Sequence, residues 1–230
     1  MLKQTEKRED LLMSYLFIAL YILCSAVHLY HSWKDIPKKR AMTKPWLLLL
    51  LTGWYVVSTR DLSWVLVAAL LTSWLGDVLL IPKGHGWFTA GGISFLLSHF
   101  LFIAVYAPSV TFGSIPWLLV VPVALVYYGI SIMIIRAVKP TTPKAMVAPM
   151  CLYLIANSTM NIFALMRCMT LRTPGSLIAV IGAVLFFVSD CTLFLVRYYP
   201  KKQLIFKKHF TVMLTYLAGE ALITLGILMN

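Results

Sequence analysis

The sequence predicts an all-α fold, a polytopic membrane bundle of about eight transmembrane helices forming one integral membrane domain over residues 1–230. Three observations carry that prediction. First, 60% of the residues are hydrophobic and 12% are charged, with a mean hydropathy of +0.86, beyond what a single water-facing core can bury and opposite to the composition of disorder. Second, the apolar residues fall into stretches long enough to cross a hydrocarbon layer of about 30 Å, which takes roughly 20 helical residues. Third, the net charge of +12 comes from short basic clusters set between those stretches, the pattern of membrane topology rather than of a nucleic-acid surface.

The spans are expected near 12–30, 44–59, 63–82, 87–107, 115–136, 145–166, 175–197 and 209–229. The first is too long, and too poorly followed by small residues, for a cleaved signal, so it is expected to remain as a helix. The second is short, and only Arg60 and Asp61 part it from the third, which implies a tight helical hairpin. Pro37, Pro45, Pro82, Pro108, Pro140, Pro143, Pro174 and Pro200 stand at or near expected ends, where a missing donor is tolerated. Pro116 suits a first helical turn, and Pro122 and Pro149 lie inside spans.

Eight spans put the odd-numbered loops on one side. Those loops hold Lys34, Lys38, Lys39, Arg40, Lys44, Lys83, Arg136, Lys139, Lys144, Arg197, Lys201, Lys202, Lys207 and Lys208, against Lys3, Lys7, Arg8, Arg60, Arg167 and Arg172 on the other. The positive-inside rule then sets both termini outside the cytoplasm. The basic loops are expected to face anionic lipid headgroups; the bilayer is the expected partner and nucleic acid is not. Trp33, Trp46, Trp87, Trp117, Tyr198 and Tyr199 cluster near span ends as interfacial anchors. Cys24, Cys151, Cys168 and Cys191 show no Cys-x-x-Cys spacing, so they are expected as buried free thiols with neither disulfide nor zinc.

Of eight acids, five lie in tails or loops (Glu6, Glu9, Asp10, Asp35 and Asp61), leaving Asp77, Asp190 and Glu220 within apolar runs. An acid at mid-helix costs on the order of 2.5–3.5 kcal/mol to insert, so such residues normally face a bundle interior or a wet cavity and mark function. Asp77 sits in Gly76-Asp77-Val78-Leu79-Leu80 and Asp190 in Ser189-Asp190-Cys191-Thr192-Leu193, each a small residue, an Asp and a Leu three later. Both spans run in the same direction, so the two carboxyls are expected at similar depth and facing each other. The next span of each half carries a polar group near its middle, His99 and Glu220, which points to a four-plus-four parallel repeat about the membrane normal.

The plainer reading makes these acids interhelical glue, tied through Ser73, Ser98, Asn157, Asn161 or Tyr216. Asn157 and Asn161, four apart on one helical face, suit either part. His99 is the one histidine in mid-span, since His28 and His31 flank the first helix end, His85 falls in a loop and His209 opens the last helix, so a histidine-bound metal is not expected.

At these residues the chain resembles the lysoplasmalogenase family, also called YhhN-like proteins. The resemblance rests on Lys44-Pro45, Gly76-Asp77 with Leu80, the Phe88 to Gly91 stretch leading to Phe95 and His99, Ser189-Asp190 with Leu193, and Thr215-Tyr216. The chain departs from the family at Leu217, where a second Tyr is usual, at Glu220, which takes a Gln position, and at Phe102, where a Tyr is common.

The resemblance implies a multispanning hydrolase of a bacterial inner membrane that cleaves the vinyl-ether bond of lysoplasmalogens to a fatty aldehyde and a glycerophospho-alcohol. It implies Asp77 and Asp190 as the catalytic pair, with no cofactor or metal and a lysophospholipid as substrate. His99, Tyr216, Glu220, Asn157 and Asn161 are then expected to tune or bind, and Lys44 either to meet the headgroup or to anchor a helix end at the interface. Oligomeric state is not readable. The alternative from another class is a proton-coupled transporter or lipid-binding protein using the same acids. A serine esterase of the α/β-hydrolase kind lacks its Gly-x-Ser-x-Gly motif here.

Overall fold

The computed structural model describes the backbone of residues 2–200 and 204–230 and the side chains of residues 9–200 and 204–230. Lys201 and Lys202, and the side chains of Lys3, Glu6, Lys7 and Arg8, lie outside the described residues. Every regular element described is helical: α1 (Leu2–Trp33), α2 (Pro37–Ser58), α3 (Trp64–Leu79), α4 (His85–Tyr106), α5 (Trp117–Val138), α6 (Lys144–Leu171), α7 (Pro174–Tyr198) and α8 (Lys208–Leu228). Short 3-10 turns occupy Ala107–Ser109, Phe112–Ser114 and Lys139–Thr141.

Among the described residues six helices are long and apolar enough to cross a membrane: α1 from Glu9, and α4 to α8. The molecule is thus a helical integral membrane protein. The other two fall short for different reasons. α2 gives its first two turns to Pro37–Lys44, where Lys38, Lys39, Arg40 and Lys44 lower its hydropathy. α3 has 16 residues, a rise of about 24 Å, and stops at Leu79 rather than near Pro82.

The chain divides into two compact units, residues 1–101 and 102–230. In the first, α1 and α2 form an antiparallel hairpin pinned along its length. Ser14 Oγ meets Ser58 Oγ at 2.7 Å near one end, and His28 Nδ1 meets Thr43 Oγ1 at 2.7 Å near the other. Between them a side chain at Gly53 would strike the Phe17 ring. Ser63 caps α3 by accepting the Leu66 N–H, while its own N–H donates to Tyr55 Oη at 2.9 Å, fixing the short link from α2. Ser73 Oγ and Ser98 Oγ, 2.6 Å apart, tie α3 to α4, and Ser94 Oγ donates to the Thr72 carbonyl.

In the second unit α7 and α8 form the tightest seam. With lipid outside, helices gain little from excluding water from one another, and close backbone approach through small residues takes over. Gly175 and Gly182 on α7 face Gly226 and Gly219 on α8; a Cβ at Gly182 would lie 2.6 Å from Ile223 N and 2.7 Å from the Gly219 carbonyl oxygen. Ser189 Oγ donates to the Val212 carbonyl along the same seam. Ser131 with Ser158, and Tyr128 with Thr159, bind α5 to α6 through hydroxyl pairs.

Several local expectations are corrected. Pro45 lies inside α2, two turns past its start, because Pro37 already opens that helix. His85 is the first residue of α4, not a loop residue, and His28 and His31 lie within α1. Arg167 lies within α6 and is buried. Tyr198 is buried rather than presented at the interface, whereas Trp33, Trp46, Trp87 and Trp117 are exposed as anchors should be. All four cysteines are free, but only Cys191 is buried.

Candidate active site

Asp77 lies in the last turn of α3, and its position follows from the residue before it. Gly76 lets the ring of Phe95 on α4 press against α3: a Cβ there would stand 2.6 Å from Phe95 Cδ2. The last turn of a helix carries partial negative charge, so a carboxylate is poorly placed there without a cation. Lys44 supplies one. Its Nζ stands 3.1 Å from Asp77 Oδ1, with the Lys side chain 15% exposed and the Asp side chain 3%. Lys44 does not stand at a helix end: α2 begins seven residues earlier, at Pro37, and the lysine lies within it, paired with Asp77. Trp74 Nε1 donates to the Pro45 carbonyl at 2.8 Å, which fixes the α2–α3 register that brings lysine and aspartate together. His99 follows Ser98 on α4 and is fully buried.

Asp190 has a different setting, supplied by α6. Tyr153 Oη donates to its Oδ2 at 2.9 Å and Asn157 Nδ2 donates to the same oxygen at 2.7 Å. Asn161 Nδ2 in turn donates to the Asn157 side-chain and backbone carbonyls, both at 3.0 Å, so the amide chain runs donor to acceptor toward the aspartate. Residues 153, 157 and 161 recur every fourth position and share one face of the helix. Buried polar groups that satisfy one another in this way hold one geometry. Tyr153 was not among the residues picked from sequence, although its four-residue spacing to Asn157 was the available signal.

Glu220 and Tyr216 sit on one face of α8, both buried. The Tyr216 ring packs edge-on to Phe186 with centroids 5.5 Å apart, and Thr224 Oγ1 donates to the Glu220 backbone carbonyl at 2.8 Å. The structure thus joins Lys44 with Asp77 in the first unit, and Asp190 with Asn157 and, through it, Asn161 in the second.

The match to the YhhN family description runs from residue 39 to residue 227. The chain belongs to the YhhN family. No curated protein and no solved structure matches it. Lys44, Asp77, His99, Asn157, Asn161, Asp190, Tyr216 and Glu220 all fall inside the YhhN match, whereas α1 falls outside it. Membership associates the chain with lysoplasmalogenase-type membrane proteins.

Proposed function

We propose that this YhhN protein is a membrane lipid hydrolase that cleaves the vinyl-ether bond of lysoplasmalogens, with Asp77 and Asp190 as its acid and base. The observation that carries the reading is that each buried aspartate, inside the family match, has its own dedicated partner, a lysine for Asp77 and a tyrosine–asparagine pair for Asp190. Buried carboxyls held by such partners mark working groups in membrane proteins.

The chemistry asks for two carboxyls in different states. One gives a proton to the β-carbon of the alkene, leaving an oxocarbenium ion. The other, ionised, stabilises that cation and takes a proton from the water that adds to it, the division of labour seen in glycoside hydrolysis. The hemiacetal then collapses to a fatty aldehyde and the glycerophospho-alcohol, consuming one water. His99, Tyr216 and Glu220 orient the water or set the protonation of the pair, and Asn157 and Asn161 steady Asp190. The apolar helices suit the alkenyl tail. The loop-charge bias supports both termini lying outside the cytoplasm.

The test is to incubate purified protein with a lysoplasmalogen and with the matched ester lysophospholipid and to measure aldehyde and fatty acid. Aldehyde from the first alone is the expected result. Release of neither product contradicts the reading and turns attention to transport or lipid binding by the same acids.

A further inference from the structure

One end of the second unit carries a groove that the proposed reaction does not use. α6 closes at Arg172, whose left-handed backbone (φ 54°) sets its N–H on the Cys168 carbonyl, and Thr173 at once caps α7 by accepting the Ser176 N–H. Beside that tight turn lies an open groove of about 630 Å³, walled by Leu119 of α5, by Leu165, Cys168 and Met169 of α6, and by Leu177 of α7. Its size falls within the roughly 300–1,000 Å³ of clefts that take small ligands. Among the described residues Arg172 is the one charged group that lines it.

The groove runs from a polar rim to an apolar floor. Arg172 and Thr173 stand at helix ends, and the exposed Trp117, which opens α5 at the same end, marks that level as the interface. Leu165 lies seven residues back along α6, about 10 Å further into the apolar part of the helix. Arg172 Nε donates to the Met169 carbonyl at 3.2 Å, which holds the guanidinium over the end of α6. Its side chain makes no other hydrogen bond and no ion pair among the described residues. The sequence shows why: no acid occurs between Val78 and Ser189. The two acids of the unit lie elsewhere, both buried. Asp190 is sixteen residues, about 24 Å, along α7 from Pro174, and Glu220 follows Gly219, which packs on Gly182. The Thr173 hydroxyl is taken up by Asn230 Oδ1, so the guanidinium is the group at the rim that still seeks an anion.

A guanidinium at the interface above an apolar trench has the polarity of a phospholipid turned inside out: a forked cation for the phosphate, then aliphatic walls for a chain. We infer that this groove binds a phospholipid of the surrounding bilayer, with one acyl chain along Leu119, Leu165 and Leu177 and the phosphate on Arg172. This is a lipid site separate from Asp190. The glycerol of a lipid held at Arg172 stays beside its phosphate and so lies far along α7 from that carboxyl. The bound lipid is a fixed part of the α5–α6–α7 packing, and the inference does not depend on which reaction the protein performs.

The test uses the full chain, stripped of lipid in a non-ionic detergent, and follows by native mass spectrometry its binding of phosphatidylglycerol and of the diacylglycerol with the same chains. The expected result is one saturable equivalent of phosphatidylglycerol per chain, held about tenfold tighter than the diacylglycerol, as charge-assisted hydrogen bonds to a phosphate provide. Arg172→Gln should bring that ratio toward one, and Arg172→Lys should keep most of it. Leu177→Trp, which fills the groove, should remove the saturable equivalent. Leu118→Trp, at a position 91% exposed and outside the groove, should leave it in place. Each variant is judged folded by its elution and melting profile. Unsaturable uptake of both lipids alike describes an ordinary lipid annulus and overturns the inference, as does saturable binding that ignores both Arg172→Gln and Leu177→Trp. A dimer that forms without lipid and is broken by Leu177→Trp makes a second copy of the chain the occupant, and overturns it too. Neither lipid carries a vinyl ether, so these outcomes are separable from a failure to release aldehyde.

Discussion

Lys44 and Asp77 meet at 3.1 Å between α2 and α3, both largely withdrawn from solvent, and that contact joins the folding of the first unit to its chemistry. A charge pair in such a place contributes little net stability as a pair, yet removing one member leaves the other buried and uncompensated. Lys44→Met is therefore expected to lower stability by about 3 kcal/mol. The double variant Lys44→Met with Asp77→Leu should recover most of that loss. Melting in detergent measures both; equal, additive losses from the two changes would show that the contact is incidental.

The Asp190 network calls for a different pattern, because Tyr153 and Asn157 serve the same oxygen. Tyr153→Phe and Asn157→Leu should each cost about 1–2 kcal/mol of stability and slow turnover. The double variant should lose less than the sum, since the two donors form one network. Initial rates of aldehyde release and melting curves on the four proteins close the cycle. Unchanged rates in both single variants would remove this network from the chemistry.

The α7–α8 seam sets a packing prediction independent of function. Gly182→Ala places a methyl against backbone atoms of α8 that cannot move aside, so the yield of folded protein should fall sharply. Gly129 on α5 has open space around it, and Gly129→Ala should be neutral or stabilise by up to about 1 kcal/mol through helix propensity. Monodisperse elution after purification reports each. Equal tolerance of both would mean that the seam is not close-packed in the membrane.

How far the sequence led depends on the range of the physics. Helix type and approximate position followed from hydropathy, a local property, and α4 to α8 came within a few residues of their expected ends. α2 was cut short because its first two turns are charged and Pro45 follows them, and hydropathy is blind to a helix that continues past its apolar stretch. The same cut set Lys44 at a helix end, open between a headgroup contact and an interfacial anchor. Only the register of α2 on α3, held by Trp74 and the Pro45 carbonyl, turns that lysine toward Asp77, and register between helices is not a local property.

Asp77, Asp190, Asn157 and Asn161 were legible because polar groups stand out against an apolar background. Tyr153 was not, since a tyrosine in a span passes for an aromatic side chain until its hydroxyl is seen on Asp190. His28 shows the same limit: the sequence set it beside the end of the first span, whereas it lies inside α1 and its Nδ1 meets Thr43 of α2.

The most direct test of the central claim is aldehyde release from a lysoplasmalogen by Asp77→Asn and Asp190→Asn, each purified in detergent beside the unaltered chain. The substitution keeps the size of the side chain and takes away its ability to exchange a proton. The account expects both variants to elute as folded protein and to release no aldehyde above the enzyme-free rate. Turnover retained in both would contradict it.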